Sequence, residues 1–140
     1  MADRGSTIAP KPPAQVSGVL SGQRVLLVDD DAGIATLVAG ALTDAGAAVE
    51  LARSADAAIA QASRRPPSAM VIHLPLPRDA AAALGRRVRG HDALGAIRLI
   101  ILSGEDAVDE AAVAVADVVQ PRPISVQRIV DSLDDLKQGA

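Results

Sequence analysis

The run Val25-Leu26-Leu27-Val28-Asp29-Asp30-Asp31 decides how the rest of the chain is read. Its four apolar residues are continuous rather than alternating, the mark of a strand covered on both faces, as in a parallel sheet. Acids end the run abruptly. From Asp31 to Asp44, Ile34, Leu37, Val38, Ala41 and Leu42 recur at helical spacing and are expected to face inward, with Gly46 just past the end.

The same alternation continues outward. Ala48–Leu51 reads as a weaker strand nearer the sheet edge, and Ser54 as the N-cap of a helix through Ser63 that Pro66 and Pro67 stop. Ala69–Leu74 is the third strand, followed by a helix from Asp79 to Arg89 that ends at Gly90. Ile97–Leu102 is the fourth strand, Asp106–Ala114 a short helix and Asp117–Val119 the last strand. Ser125 then caps an amphipathic helix with Val126, Ile129, Val130, Leu133 and Leu136 inward. Five βα units joined by right-handed crossovers predict an α/β fold, a doubly wound five-stranded parallel sheet in the flavodoxin-like order 2-1-3-4-5.

Length and composition bound the rest. The 140 residues suit one domain, read here as 23–138 behind a flexible tail, 1–22, that contains Pro10, Pro12, Pro13 and several Gly and Ser. A net charge of −3 points to neither nucleic acid nor an anionic membrane as the main partner. No apolar run approaches the ~20 residues that span a bilayer, so a cytoplasmic protein is expected. Cysteine is absent, which excludes disulfides and thiolate metal sites. Phe, Tyr and Trp are absent too, so the core must be built of Val, Ile, Leu and Ala, and no aromatic platform exists for stacking bases.

In a sheet of this kind ligands bind outside the carboxyl ends of the strands. Asp29 and Asp30 follow the first strand, His73 ends the third, Ser103 follows the fourth and Arg122-Pro123 follow the last. Acids, a hydroxyl and a cation-Pro at these places resemble the receiver domain of bacterial two-component response regulators, the CheY-like fold, over about residues 23–137. The resemblance implies that Asp29 and Asp30 match the acid pair that holds magnesium in active receivers. Ser103 matches the hydroxyl that contacts the phosphoryl group, and Arg122 stands where the family carries lysine. His73 replaces the aspartate that is phosphorylated. Val119, three residues before Arg122, stands where the switch usually has Tyr or Phe, and Ala80-Ala81 replaces a usual Asp-Gly.

Loss of the acceptor, lysine and aromatic together implies a degenerate pocket. The alternative readings of the acids are helix capping and complementing the helix dipole. His73 admits three readings: a silent replacement, which is favoured; a pH-responsive element, since two nearby carboxylates favour imidazolium; or a phosphohistidine. Replacing the third carboxylate by nitrogen weakens a magnesium site. Zinc on Asp29, Asp30 and His73 lacks further nitrogen or sulfur ligands. Arg122 is expected to neutralise Asp29 or Asp30. Arg78, Arg86, Arg87, Arg89 and Arg98 make the third-helix region basic, while Glu105, Asp106, Asp109 and Glu110 make the fourth acidic; both read as solvated faces.

The expectation is therefore a non-enzymatic pseudo-receiver without a cofactor. It would act by contact with a histidine kinase or another two-component protein, or as a homodimer, through the fourth helix, last strand and final helix. No DNA-binding or catalytic output region is read after Leu136. The rival is a working phosphoacceptor that uses magnesium and another carboxylate such as Asp79.

Overall fold

The computed structural model of the chain describes residues 18–103 and 110–139. Five strands alternate with five helices: β1 (Arg24–Asp29), α1 (Ala32–Asp44), β2 (Ala48–Ala52), α2 (Ala55–Arg64), β3 (Ala69–His73), α3 (Ala80–Arg89), β4 (Arg98–Leu102), α4 (Glu110–Val115), β5 (Val118–Gln120) and α5 (Val126–Gly139). All neighbouring strands are parallel, in the order β2-β1-β3-β4-β5. This is the doubly wound order that the alternation predicts, with β2 at an edge. The helix expected from Asp106 is described only over Glu110–Val115, and its earlier part lies outside the described residues.

Pleating explains the uninterrupted apolar runs. Leu26 and Val28 of β1 point into a core with α2, α3 and α4, while Val25 and Leu27 point into a second core with α1 and α5. Strand β3 divides Met70 and Ile72 from Val71 in the same way, and β4 divides Leu99 and Ile101 from Ile100 and Leu102. Ala58, Ala62, Ala81 and Ala82 are all buried, so small side chains let helices come close to the sheet where aromatics are missing. Side-chain caps fix three helix starts: the Ile34 N–H donates to Asp31, the Ala57 N–H donates to Ser54 and the Arg128 N–H donates to Ser125.

Three expectations need correction. Leu37 is 57% exposed, because the buried stripe of α1 is Ala35, Val38 and Leu42, centred about 130° round the helix from it. The expected tail reaches too far: residues 1–17 lie outside the described residues, but Leu20 is fully buried in the α1–α5 core. The N–H groups of Gly18 and Leu20 both donate to the Ala45 carbonyl, at 2.9 and 2.8 Å. A Cβ on Gly46, whose φ is +105°, would lie 2.9 Å from the Gly18 Cα, so this turn needs glycine for both conformation and space.

The third correction concerns Arg89, which is not part of a solvated basic face. Its Nε donates to the Val115 carbonyl at 2.9 Å, and its Nη1 to the Gly95 and Ile97 carbonyls at 3.0 and 2.7 Å. Nη2 donates to Asp117 Oδ2 at 3.1 Å, an oxygen that also accepts from the Leu99 N–H. One guanidinium thus ties α3 to the ends of α4, β4 and β5. Arg98 leaves that face as well, because it begins β4.

Candidate functional site

Register builds the site. Asp29 and His73 are paired Cα partners at the ends of the adjacent parallel strands β1 and β3. Pleating sends both side chains the same way, and the spacing of ~4.8 Å between strands leaves them within reach. His73 Nδ1 donates to Asp29 Oδ1 at 3.0 Å; facing a carboxylate oxygen, Nδ1 is the nitrogen that carries the proton. The same oxygen accepts from the Asp31 N–H at 2.9 Å. Asp29 is fully buried and His73 is 8% exposed, so the pair is closed off from bulk water.

The remaining predicted residues lie around this pair. Asp30 is exposed at the end of β1, Ser103 is buried just after β4, and Arg122 is exposed beyond β5. The Ser103 N–H donates to the Gln120 carbonyl at 2.8 Å, which joins the ends of β4 and β5. Val119 is half-buried and packs against the core shared with α2, α3 and α4. Asp79, at the N-cap position of α3, is exposed and makes no side-chain cap bond. The side chain that engages Asp29 directly is His73, through this hydrogen bond.

Gln120 was not foreseen as part of this end of the sheet. It is buried, and its Nε2 donates to the Arg128 carbonyl and to Ser132 Oγ, both at 3.0 Å, so it anchors the start of α5 to β5. A polar residue ending a short apolar strand was the available signal.

The donor set can be tested against a divalent cation. Asp29 Oδ2 is buried without a hydrogen-bond partner, an orphan acceptor of the kind that a cation would satisfy. Beyond it the set fails. Oδ1 already accepts twice, and among the described residues the neighbouring acids, Asp30 and Asp31, are exposed, with Asp31 Oδ1 accepting from the Ile34 N–H. His73 presents a nitrogen already committed to Asp29, whereas magnesium demands oxygen ligands. Among the described residues no group of three His, Cys, Asp or Glu side chains could hold a metal. The described residues do not fit magnesium.

With this geometry in place, comparison with known proteins defines the class. The response regulator receiver domain family matches residues 25–134, and the chain belongs to that family. Solved structures of similar fold include a protein assigned as a response regulator in Chloroflexus aurantiacus, at 26% identity and a TM-score of 0.74 over 81% of this chain and 96% of that one. The chemotaxis response regulator CheY4 of Vibrio cholerae is similar at 23% identity and a TM-score of 0.74, over 81% and 98%. The receiver domain of a Pseudomonas aeruginosa sensor histidine kinase, with magnesium coordinated in its active-site cleft, is similar at 22% identity and a TM-score of 0.69, over 81% and 98%. No curated protein matches the chain by sequence. Among the described residues no helix is long and apolar enough to cross a membrane.

Proposed function

We propose that this receiver domain is a pseudo-receiver, a non-enzymatic protein-interaction module of bacterial two-component signalling that works without phosphorylation. The observation that carries the reading is the 3.0 Å contact between His73 Nδ1 and Asp29 Oδ1. His73 ends β3, where the resemblance puts the phosphoacceptor aspartate. Its imidazole offers no carboxylate oxygen for an acyl phosphate, and it engages the acid that would otherwise face a cation. Arg122 in place of lysine and Val119 in place of an aromatic belong to the same loss.

Output then passes through contact with a partner, such as a histidine kinase or another two-component protein in the cytoplasm, or with a second copy. The surface of α4, β5 and α5 is the face proposed for it, where Val113 is 52% exposed. Affinity capture from the native cell should retain the same partner with and without acetyl phosphate and magnesium. Retention that changes several-fold on adding them would overturn the reading. The rival acceptor, Asp79, gains no support from its exposed place at the start of α3.

Titration with magnesium should show no saturable binding in the low millimolar range, because among the described residues the buried Asp29 Oδ2 and the exposed Asp30 and Asp31 make a poor set of oxygen ligands. The chain has no aromatic reporter, so calorimetry or NMR shifts at Asp29 and Asp30 are the suitable measurements. A fitted dissociation constant below about 1 mM would reinstate Asp29 and Asp30 as a cation site.

A further inference from the structure

At the opposite end of the sheet from Asp29 and His73, the chain leaves a cavity of about 320 Å³ beside the first residues of β3 and β4 and the last turns of α5. Its walls are largely apolar, formed by Ala69 of β3 and by Leu133 and Leu136 of α5. Two cations line it, Arg98 and Lys137, and their situations differ. Lys137 Nζ donates to the Val19 carbonyl at 2.7 Å and lies 3.8 Å from Asp134 Oδ1, so its charge is already shared. Arg98 begins β4 and is half-buried, and among the described residues its guanidinium has no hydrogen-bond or ionic partner.

Strand alternation explains how the arginine comes to be there. Arg98 has the same parity as Ile100 and Leu102, which face α1 and α5, so its side chain leaves the sheet on the α5 side. A guanidinium against apolar walls loses hydration, and without a counter-ion that loss is uncompensated. Ser68 also lines the cavity, but its hydroxyl accepts from the Arg24 N–H at 3.1 Å and donates to the Arg24 carbonyl at 3.0 Å. Gln23 Nε2, also in the lining, donates to the Leu133 carbonyl at 3.3 Å, so Arg98 is the lining cation without a partner among the described residues.

We propose that this cavity binds a small amphiphilic monocarboxylate, with its carboxylate on the Arg98 guanidinium and its apolar body against Leu133 and Leu136. One uncompensated cation matches a single negative charge, and the planar fork of arginine matches a carboxylate through two parallel hydrogen bonds. The volume stands near the lower end of the ~300–1,000 Å³ typical of ligand pockets, which sets the ligand as a short one. The N-terminal residues of the chain have the wrong charge for this place, with Asp3 outweighed by Arg4 and Lys11. The site does not use the Asp29–His73 pair, although Leu133, Leu136 and Lys137 belong to α5, one element of the face proposed for partner contact.

Octanoate is a suitable probe, titrated into the full chain and followed by NMR. Binding should saturate, with the largest shifts at Ala69, Leu133 and Leu136 and none at Asp29 or His73. Octanol, which keeps the chain length and loses the charge, should bind about 10-fold or more weakly. Arg98→Gln should weaken octanoate by a similar factor. If that variant does not fold, the octanoate and octanol comparison on the wild type decides alone. Failure to saturate, equal affinity for the two probes, or shifts centred on His73 would each overturn the proposal.

Discussion

Treated with acetyl phosphate and magnesium, the wild-type chain should gain no phosphoryl adduct, and His73→Asp should gain one. The substitution removes the N–H that now satisfies Asp29 Oδ1 and puts a carboxylate opposite it, on the register partner of Asp29. Two carboxylates this close repel unless a cation or a shared proton intervenes. Magnesium is therefore drawn into a place that the imidazole contact now closes. The orphan Asp29 Oδ2, the exposed Asp30 and the new carboxylate would supply oxygen ligands of the kind magnesium accepts. The new carboxylate oxygen can then attack the phosphorus of acetyl phosphate, with acetate as the leaving group. Yield should be partial, because Arg122 does not reproduce a compact lysine ammonium and Val119 cannot act as an aromatic switch.

The same variant carries a stability signature that does not depend on phosphorylation. Without magnesium, His73→Asp should melt below the wild type, and magnesium should recover much of the loss, since a ligand that binds only the folded state stabilises it by mass action. The wild type should show no comparable dependence. Intact mass and thermal melts on both proteins test the two halves separately. An adduct on the wild type that Asp79→Ala removes would favour the rival acceptor. An inert, folded His73→Asp would mean that the residue at position 73 is not what keeps this site from phosphorylation.

What could be read from the sequence followed from how strongly each residue's neighbours constrain it. Val25–Val28 and Ile97–Leu102 announced a parallel sheet because a strand buried on both faces has no room for polar residues. Asp29 and His73 were legible as neighbours, since residues ending adjacent strands of such a sheet converge. Their hydrogen bond was not, because it depends on register and on which carboxylate oxygen faces the ring. Leu37 was misplaced because Leu37 and Val38 are adjacent and apolar, and only packing decides which one the sheet receives. Val19 and Leu20 form an apolar pair flanked by Gly and Ser, too short for any periodicity to reveal that Leu20 is buried in the core with Ala45. Arg89 and Arg98 read as parts of one basic stretch. Composition carries no direction, and the structure turns one into a clamp and the other into a cavity wall. Glu105, Asp106 and Asp109 lie outside the described residues.

The same substitution, glycine to alanine in a helix, should have opposite signs at two places in this chain. At Gly40, an exposed position inside α1, a new Cβ would meet nothing within 4 Å. There the gain is that of alanine over glycine in a helix, about 0.5–1 kcal/mol, and Gly40→Ala should raise the melting temperature by a few degrees. At Gly85 of α3 the new Cβ would lie 2.5 Å from Val115 Cγ2 and 3.2 Å from Val115 Cβ. Val115 is β-branched and stiff, so it cannot swing clear as a longer side chain would, and α4 must move instead. Overpacking of this kind costs about 1–3 kcal/mol or more, which exceeds the propensity gain and makes Gly85→Ala destabilising. Adding Val115→Ala should recover most of the loss, a coupling that distant sites would not show. Because α4 belongs to the face proposed for partner contact, Gly85→Ala should also weaken partner retention in proportion to that shift, while Gly40→Ala leaves it unchanged. Thermal melts by circular dichroism on the single and double variants measure the energies. Equal signs at the two glycines would show that the α3–α4 seam yields more readily than its geometry implies.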